Sequence, residues 1–239
     1  MPATTTVLLV HGAWHGPWMW GALVREMPDV DVRTVALPSA GRDPAALGDL
    51  HADAAAIRRA AAAIHGPVVV CAHSYGGVPT TQGVADLPNV VGIVYLCAFQ
   101  LDIGESLASA VGGAPPDWWD VHAAEGYVDA HRPLEVFYSD VDEAVARDAI
   151  MRLGHQSLVA LGQQVSKAAW RTIPSTYIVC EHDRAVPVEA QEAMARRATR
   201  VLRIPASHSP FLSRPAQLAG ILRAELAGVG AAREVEAPS

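Results

Sequence analysis

Six short apolar runs set the limits on what this chain can fold into. Residues 6–10 (TVLLV), 30–36, 68–71 (VVVC), 90–96 (VVGIVYL), 176–180 (TYIVC) and 200–204 are each of strand length and rich in β-branched side chains. Longer patterns of helical spacing lie between them, over residues 18–26, 50–64, 76–85, 188–197 and 211–226. Strands that are apolar along their whole length are buried on both faces, and a helix after each one supplies the cover. That combination predicts an α/β fold with a mostly parallel central sheet and helices on both faces.

The alternation breaks between about residues 100 and 172, where GGAPPDWWD and HRPLEVFYSD are followed by helical stretches over 141–152 and 157–168. An insertion there, after the strand ending near Leu96, lies over the C-terminal ends of the strands, where open α/β sheets bind ligands. It reads as a helical lid. The 239 residues suffice for one sizeable core, and the 17 prolines and 19 glycines are spread along the chain without marking a linker. A single domain over 1–239 is expected, with a flexible tail over 228–239.

The formal net charge of −7 argues against a nucleic-acid partner, because phosphate binding needs clustered Lys and Arg. The start MPATTTVLLV has neither a basic n-region nor a long apolar run, so a cytoplasmic protein without a membrane partner is expected, as monomer or homodimer. Cys71, Cys97 and Cys180 fall in or at the ends of strand-like runs and read as buried free thiols.

The stretch from Ala72 to Gly76, AHSYG, places Ser74 between a buried strand and a helix that starts at glycine. It is a variant of the G-x-S-x-G elbow, in which a tight strand-to-helix turn lifts the serine hydroxyl above the sheet, with Ala72 replacing the first glycine. The competing reading is a helix cap. A serine hydroxyl is a weak nucleophile until a base takes its proton, and that base needs an orienting acid. The loops after the last two strands offer both: EHDRAVP contains Asp183, with Glu181 as runner-up, and PASHSPF contains His208. Taken singly, Asp183 could be a turn former and His208 a loop cap.

Acyl transfer also requires two backbone amides aimed at the developing oxyanion. Tyr75 directly follows the serine, and the loop HGAWHGPW, residues 11–18, offers Ala13. His11 and His15 stand four apart, a metal-like spacing on a helix, but Gly12, Gly16 and Pro17 oppose a helix there. The same loop lacks the fingerprints of a phosphate cradle. No metal and no cofactor are expected.

VLLVHGAWHGPWMW, CAHSYGG, YIVCEHDRAVP and SHSPFLSRPAQLA together resemble the α/β-hydrolase branch that contains methyl-salicylate-type esterases and hydroxynitrile lyases. The resemblance runs from about Val7 to Leu226. It implies the α/β-hydrolase fold, Ser74 as nucleophile, His208 as general acid/base, Asp183 as its partner, and the amides of Ala13 and Tyr75 as oxyanion donors. The lyases of that branch carry a threonine and a lysine where this chain has Gly12 and Ser209, so the resemblance points to esterase chemistry on a small ester. Thioesters and lactones are alternative substrates for the same residues, and a non-catalytic ligand-binding relative is a further alternative. The aromatic residues near the expected site, Trp14, Trp118, Trp119 and Phe137, with His15, suggest an apolar or aromatic substrate.

Overall fold

The computed structural model describes residues 5–236. The apolar runs form six parallel strands in the order β10-β9-β5-β4-β1-β2, with β1 at Thr6–Val10, β2 at Val32–Val35, β4 at Val68–His73, β5 at Val90–Leu96, β9 at Ser175–Cys180 and β10 at Arg200–Ile204. Successive side chains point to opposite faces of a strand, so the four inner strands feed two cores, whereas the edge strands β2 and β10, expected to be buried on both faces, are partly exposed because each has a neighbour on one side only. Leu8, Val10, Val70, Ala72, Ile93 and Tyr95 belong to one, and Val7, Leu9, Val69, Cys71, Val94 and Leu96 to the other. Cys97 and Cys180 join the second core, and all three thiols are buried and free.

Helices cover both faces: α1 (Gly21–Arg25), α2 (Leu50–Ala62), α3 (Gly77–Gly83), α8 (Val188–Ala195), α9 (Pro210–Ser213) and α10 (Pro215–Glu236). Asp49 caps α2 by accepting a hydrogen bond from the Ala52 amide at 2.8 Å. Where a tail from residue 228 was expected, helix α10 is assigned through Glu236, and residues 237–239 lie outside the described residues. No described helix is long and apolar enough to cross a membrane.

The segment between β5 and β9 differs from the expected helical lid. It contains the short helices α4 (Leu107–Ala110), α5 (Pro133–Phe137), α6 (Glu143–Met151) and α7 (Leu158–Gly162), but also strands β6 (Trp119–His122), β7 (Tyr127–Ala130) and β8 (His155–Ser157). These pair antiparallel with one another and, through β8, with β3 (Ala40–Gly41), making a second sheet of order β3-β8-β7-β6. Cross-strand pairing between residues far apart in sequence stabilises these short strands, and β3 comes from outside the insertion altogether.

Candidate active site

Every sequence-predicted reactive group lies at the C-terminal end of a parallel strand, and parallel strands present those ends along one edge of the sheet. Ser74 follows β4, residues 11–16 follow β1, Asp183 follows β9, and His208 follows β10. Ser74 has φ of 53°, the left-handed conformation of a strained strand-to-helix elbow. It opens a turn of 3-10 helix, residues 74–76, that runs into α3, and no side chain caps either helix start. The capping alternative for Ser74 therefore has no hydrogen bond behind it.

Close approach of backbone explains two glycines around the elbow. A Cβ on Gly76 would come to 2.4 Å from the His11 carbonyl oxygen. One on Gly12 would meet Ser74 Cβ at 2.9 Å and His73 Nδ1 at 2.8 Å.

Asp183 and His208 meet: His208 Nδ1 donates to Asp183 Oδ2 at 2.7 Å, with both side chains buried. Asp183 Oδ2 also accepts from Gln191 Nε2 at 3.2 Å, and Oδ1 accepts from the amides of Ala185 and Val186 at 2.8 and 2.9 Å. One carboxylate oxygen thus shapes the turn while the other receives the histidine, so the two readings of Asp183 hold together. Glu181, the runner-up, is exposed.

The His208 backbone is fixed from below. Its carbonyl accepts from His73 Nε2 at 2.8 Å and from Cys97 Sγ at 3.7 Å. Burial holds the His73 imidazole neutral, its pKa well below the ordinary 6.5, so the proton sits on Nε2 and Nδ1 is left without a partner. The ligating atoms of His73, Cys97 and His208 lie within 4.8 Å of one another. Ligation by Cys97 would need a thiolate, which loses the hydrogen bond from Sγ to the His208 carbonyl and which burial opposes by raising that thiol's pKa well above its ordinary value. Among the described residues Ser74 Oγ makes no hydrogen bond to His208, a contact that commonly tightens only in the substrate complex.

The loop after β1 is pinned on several sides. Trp14 adopts φ of 61°, a strained region for a non-glycine residue. Its amide donates to Gln156 Oε1 at 3.4 Å, its carbonyl accepts from the Gly154 amide at 2.8 Å, and its indole Nε1 donates to the Val128 carbonyl at 2.7 Å. His15 Nδ1 donates to the Ala13 carbonyl at 2.7 Å, and His15 Nε2 accepts from the Tyr138 hydroxyl at 2.7 Å. Burial keeps His15 neutral, with its pKa pushed down to about 3.

Ala13, Trp14, Ser74, Tyr75, Trp118 and Trp119 line a cleft together with Phe99, Leu107, Val111, Pro116, Leu161, Ala185 and Val186. His15 and Phe137 stand one layer behind it: Phe137 packs its ring 5.6 Å from the Trp14 and His208 rings, while His15 stacks on Trp18. Phe99, Leu107, Val111, Leu161 and Val186 are lining residues that sequence reasoning missed, because a single apolar side chain in a loop or short helix carries no motif. Only about 20 Å³ of the cleft is open to a water-sized sphere, room for about one water. Entry of an ester requires the lining side chains to move.

A parallel sheet, a left-handed serine elbow after β4 and a buried His-Asp pair after the last two strands define an α/β-hydrolase. The alpha/beta hydrolase family model matches residues 7–221, and the chain belongs to that family as a hydrolase. The alpha/beta hydrolase nvfD of Aspergillus novofumigatus is 31% identical, the match covering 91% of this chain and 94% of that protein. Methylesterase 1 of Arabidopsis thaliana is 24% identical, covering 88% and 92%. Among solved structures, a pyrethroid hydrolase from Sphingobium faniae JZ-2 superposes with a TM-score of 0.81 at 23% identity, covering 93% of this chain and 98% of that one. Polyneuridine aldehyde esterase superposes with a TM-score of 0.79 at 22% identity, covering 92% and 98%. At those identities the structural likeness is one of fold.

Proposed function

We propose that the chain hydrolyses small apolar or aromatic carboxylic esters through Ser74, His208 and Asp183, with the amides of Ala13 and Tyr75 binding the oxyanion. The observation that carries this reading is the buried 2.7 Å bond from His208 Nδ1 to Asp183 Oδ2 beside an apolar cleft that holds Ser74. That bond leaves the Nε2 lone pair of the neutral imidazole free to act as base. Ser74 Oγ attacks the ester carbonyl as its proton passes to His208 Nε2, and the oxygen that becomes negative is received by the two amides. Collapse of the tetrahedral intermediate breaks the bond to the alcohol, which leaves with the proton from His208. Water then repeats the sequence on the acyl-enzyme, releasing the acid and restoring Ser74.

The lining supports the proposed substrate class. Apart from Ser74 it offers side chains that are aliphatic or aromatic, with none charged, so a neutral apolar group is favoured over an ionised one. The relatives named as methylesterase and esterase support the ester reading. The test is intact-protein mass after treatment with a fluorophosphonate, followed by a panel of aryl and alkyl esters. One adduct on the native protein, absent from Ser74→Ala and His208→Ala, is the expected result. Labelling that persists in folded Ser74→Ala would falsify the assignment.

A further inference from the structure

Tyr75 contributes its amide to the proposed chemistry, but its phenol is committed elsewhere. The hydroxyl donates to Asp53 Oδ2 at 2.6 Å, deep beneath the elbow on helix α2. Asp53 Oδ1 accepts from the Ser39 amide at 2.9 Å, and Ser39 Oγ accepts from Gln156 Nε2 at 3.0 Å. Gln156 Oε1 in turn accepts from the Trp14 amide at 3.4 Å. The Ser157 amide closes the same corner by donating to the Ser39 carbonyl at 2.8 Å. Asp53, Ser39 and Gln156 are all 0% exposed.

This chain of bonds starts at the residue after the candidate nucleophile and ends in the loop after β1. It therefore joins the two segments that supply the proposed oxyanion donors, passing through α2, the turn after β2 and strand β8. A buried carboxylate with no cationic partner among the described residues is expensive, and an apolar side chain at position 53 would fill the space at lower cost. Its hydrogen bonds recover part of that cost only if both oxygens are used, as they are here.

We infer that Asp53 is a positioning residue for the oxyanion hole, holding the Tyr75 main chain through its phenol and the Ala13–Trp14 peptide through Ser39 and Gln156. The inference rests on the proposed assignment of the Ala13 and Tyr75 amides. Pinning Tyr75 at both its backbone and its ring tip fixes the direction of its N–H. The Ala13–Trp14 peptide, which follows the Gly12–Ala13 peptide that carries the proposed donor N–H, is held at its N–H by Gln156 and at its carbonyl by His15, and so anchors Ala13 from its C-terminal side. Donors held in place before reaction favour the tetrahedral intermediate over the planar ester, so their loss appears in turnover rather than in substrate affinity.

The experiment measures kcat and KM for an aryl acetate, and the inhibition constant of an aryl trifluoromethyl ketone, on wild type, Tyr75→Phe, Asp53→Ala and Asp53→Asn. The ketone forms a hemiketal with Ser74 whose oxyanion occupies the hole. Tyr75→Phe and Asp53→Ala are expected to lower kcat roughly 10- to 100-fold, as for loss of a hydrogen bond to a charged group, with KM changed less than about threefold. Ketone affinity should fall by the same factor as kcat/KM. Asp53→Asn keeps an acceptor for the Ser39 amide and offers N–H to the phenol oxygen, so it should recover most of the loss.

Wild-type kcat and ketone affinity in a folded Tyr75→Phe protein would overturn the inference. So would a fall in kcat with ketone affinity unchanged, which marks a general structural defect. If Asp53→Ala does not fold, Tyr75→Phe decides alone, since it removes one oxygen atom. A wild type that neither turns over esters nor takes up fluorophosphonate sinks the assignment of Ser74 and this inference with it. An active, labelled wild type with an indifferent Tyr75→Phe sinks only the role given to Asp53.

Discussion

Lowering the pH from 7.5 to 5 should unfold this protein's stability margin through histidines buried without charge. Burial pushes the pKa of His11 down to about 4 and that of His15 to about 3, and holds His73 well below the ordinary 6.5. In the unfolded chain all three titrate near 6.5, so on acidification the unfolded state takes up protons that the folded state refuses. Stability from these groups is therefore complete above about pH 6.5 and is lost as pH falls toward the folded pKa values. Each histidine costs ~1.4 kcal/mol per pH unit below 6.5, or ~6 kcal/mol for three at pH 5.

Asp53 acts in the opposite direction. Burial raises its pKa to about 6 from the ordinary 3.8, so below pH 6 the folded state binds a proton that the unfolded state does not. That returns ~1.4 kcal/mol by pH 5, leaving a net loss of ~5 kcal/mol, comparable with the whole stability of many domains. Urea unfolding followed by tryptophan fluorescence and circular dichroism should show a midpoint lower by roughly 2 M at pH 5 than at pH 7.5. Replacing His11 with Gln should cost stability at pH 7.5 yet halve the net slope below pH 6, since the proton difference falls from two to one. Equal midpoints at pH 5 and 7.5 in the wild type would refute the reasoning.

Other perturbations test the site more directly. Asp183→Asn removes the charge that orients His208, and kcat should fall on the order of 10³- to 10⁴-fold with a folded protein and slowed fluorophosphonate labelling. Gly76→Ala forces a methyl against the His11 carbonyl, so a loss of about 1–3 kcal/mol and a melting temperature lower by several degrees are expected in a thermal scan. Trp118→Ala empties part of the cleft wall, and kcat/KM for a naphthyl ester relative to a phenyl ester should rise in a competition assay. An unchanged ratio would mean that Trp118 does not limit substrate size.

The parts of the fold that could be read from sequence are those decided locally. Strands β1 and β5 begin and end where their apolar runs do, because a run buried on both faces contrasts sharply with its turns; β10 also matches its run, although at the sheet edge most of its residues are exposed. The elbow was legible for a similar reason: a strained turn needs small residues beside it, and Gly76 is forced by the His11 carbonyl. The insertion was not. Its strands at Trp119–His122, Tyr127–Ala130 and His155–Ser157 are short and mixed in polarity, and the partner of the last lies more than a hundred residues away, at Ala40–Gly41. A helix read from residue 157 begins instead at Leu158 and stops at Gly162, after strand β8 has placed Gln156 under the loop. Asp53 and Gln156 carry no motif, since a polar residue on a helix or strand signals burial only once its partners are known.

Trp14 is tied by its indole to β7, by its carbonyl to Gly154 and by its amide to Gln156 of β8, so the roof over the cleft and the floor beneath the substrate share one fastening. An insertion so anchored is poorly suited to swinging open as a rigid flap, because the movement would drag the loop after β1 with it. Leu107, Val111 and Trp118 line the same cleft without a hydrogen bond to that loop among the described residues, so their movement would disturb it less. For an engineer, the exchangeable unit is accordingly narrower than the insertion: segments before β6 can be traded to change what fits, while β7 and β8 belong to the machinery they shelter.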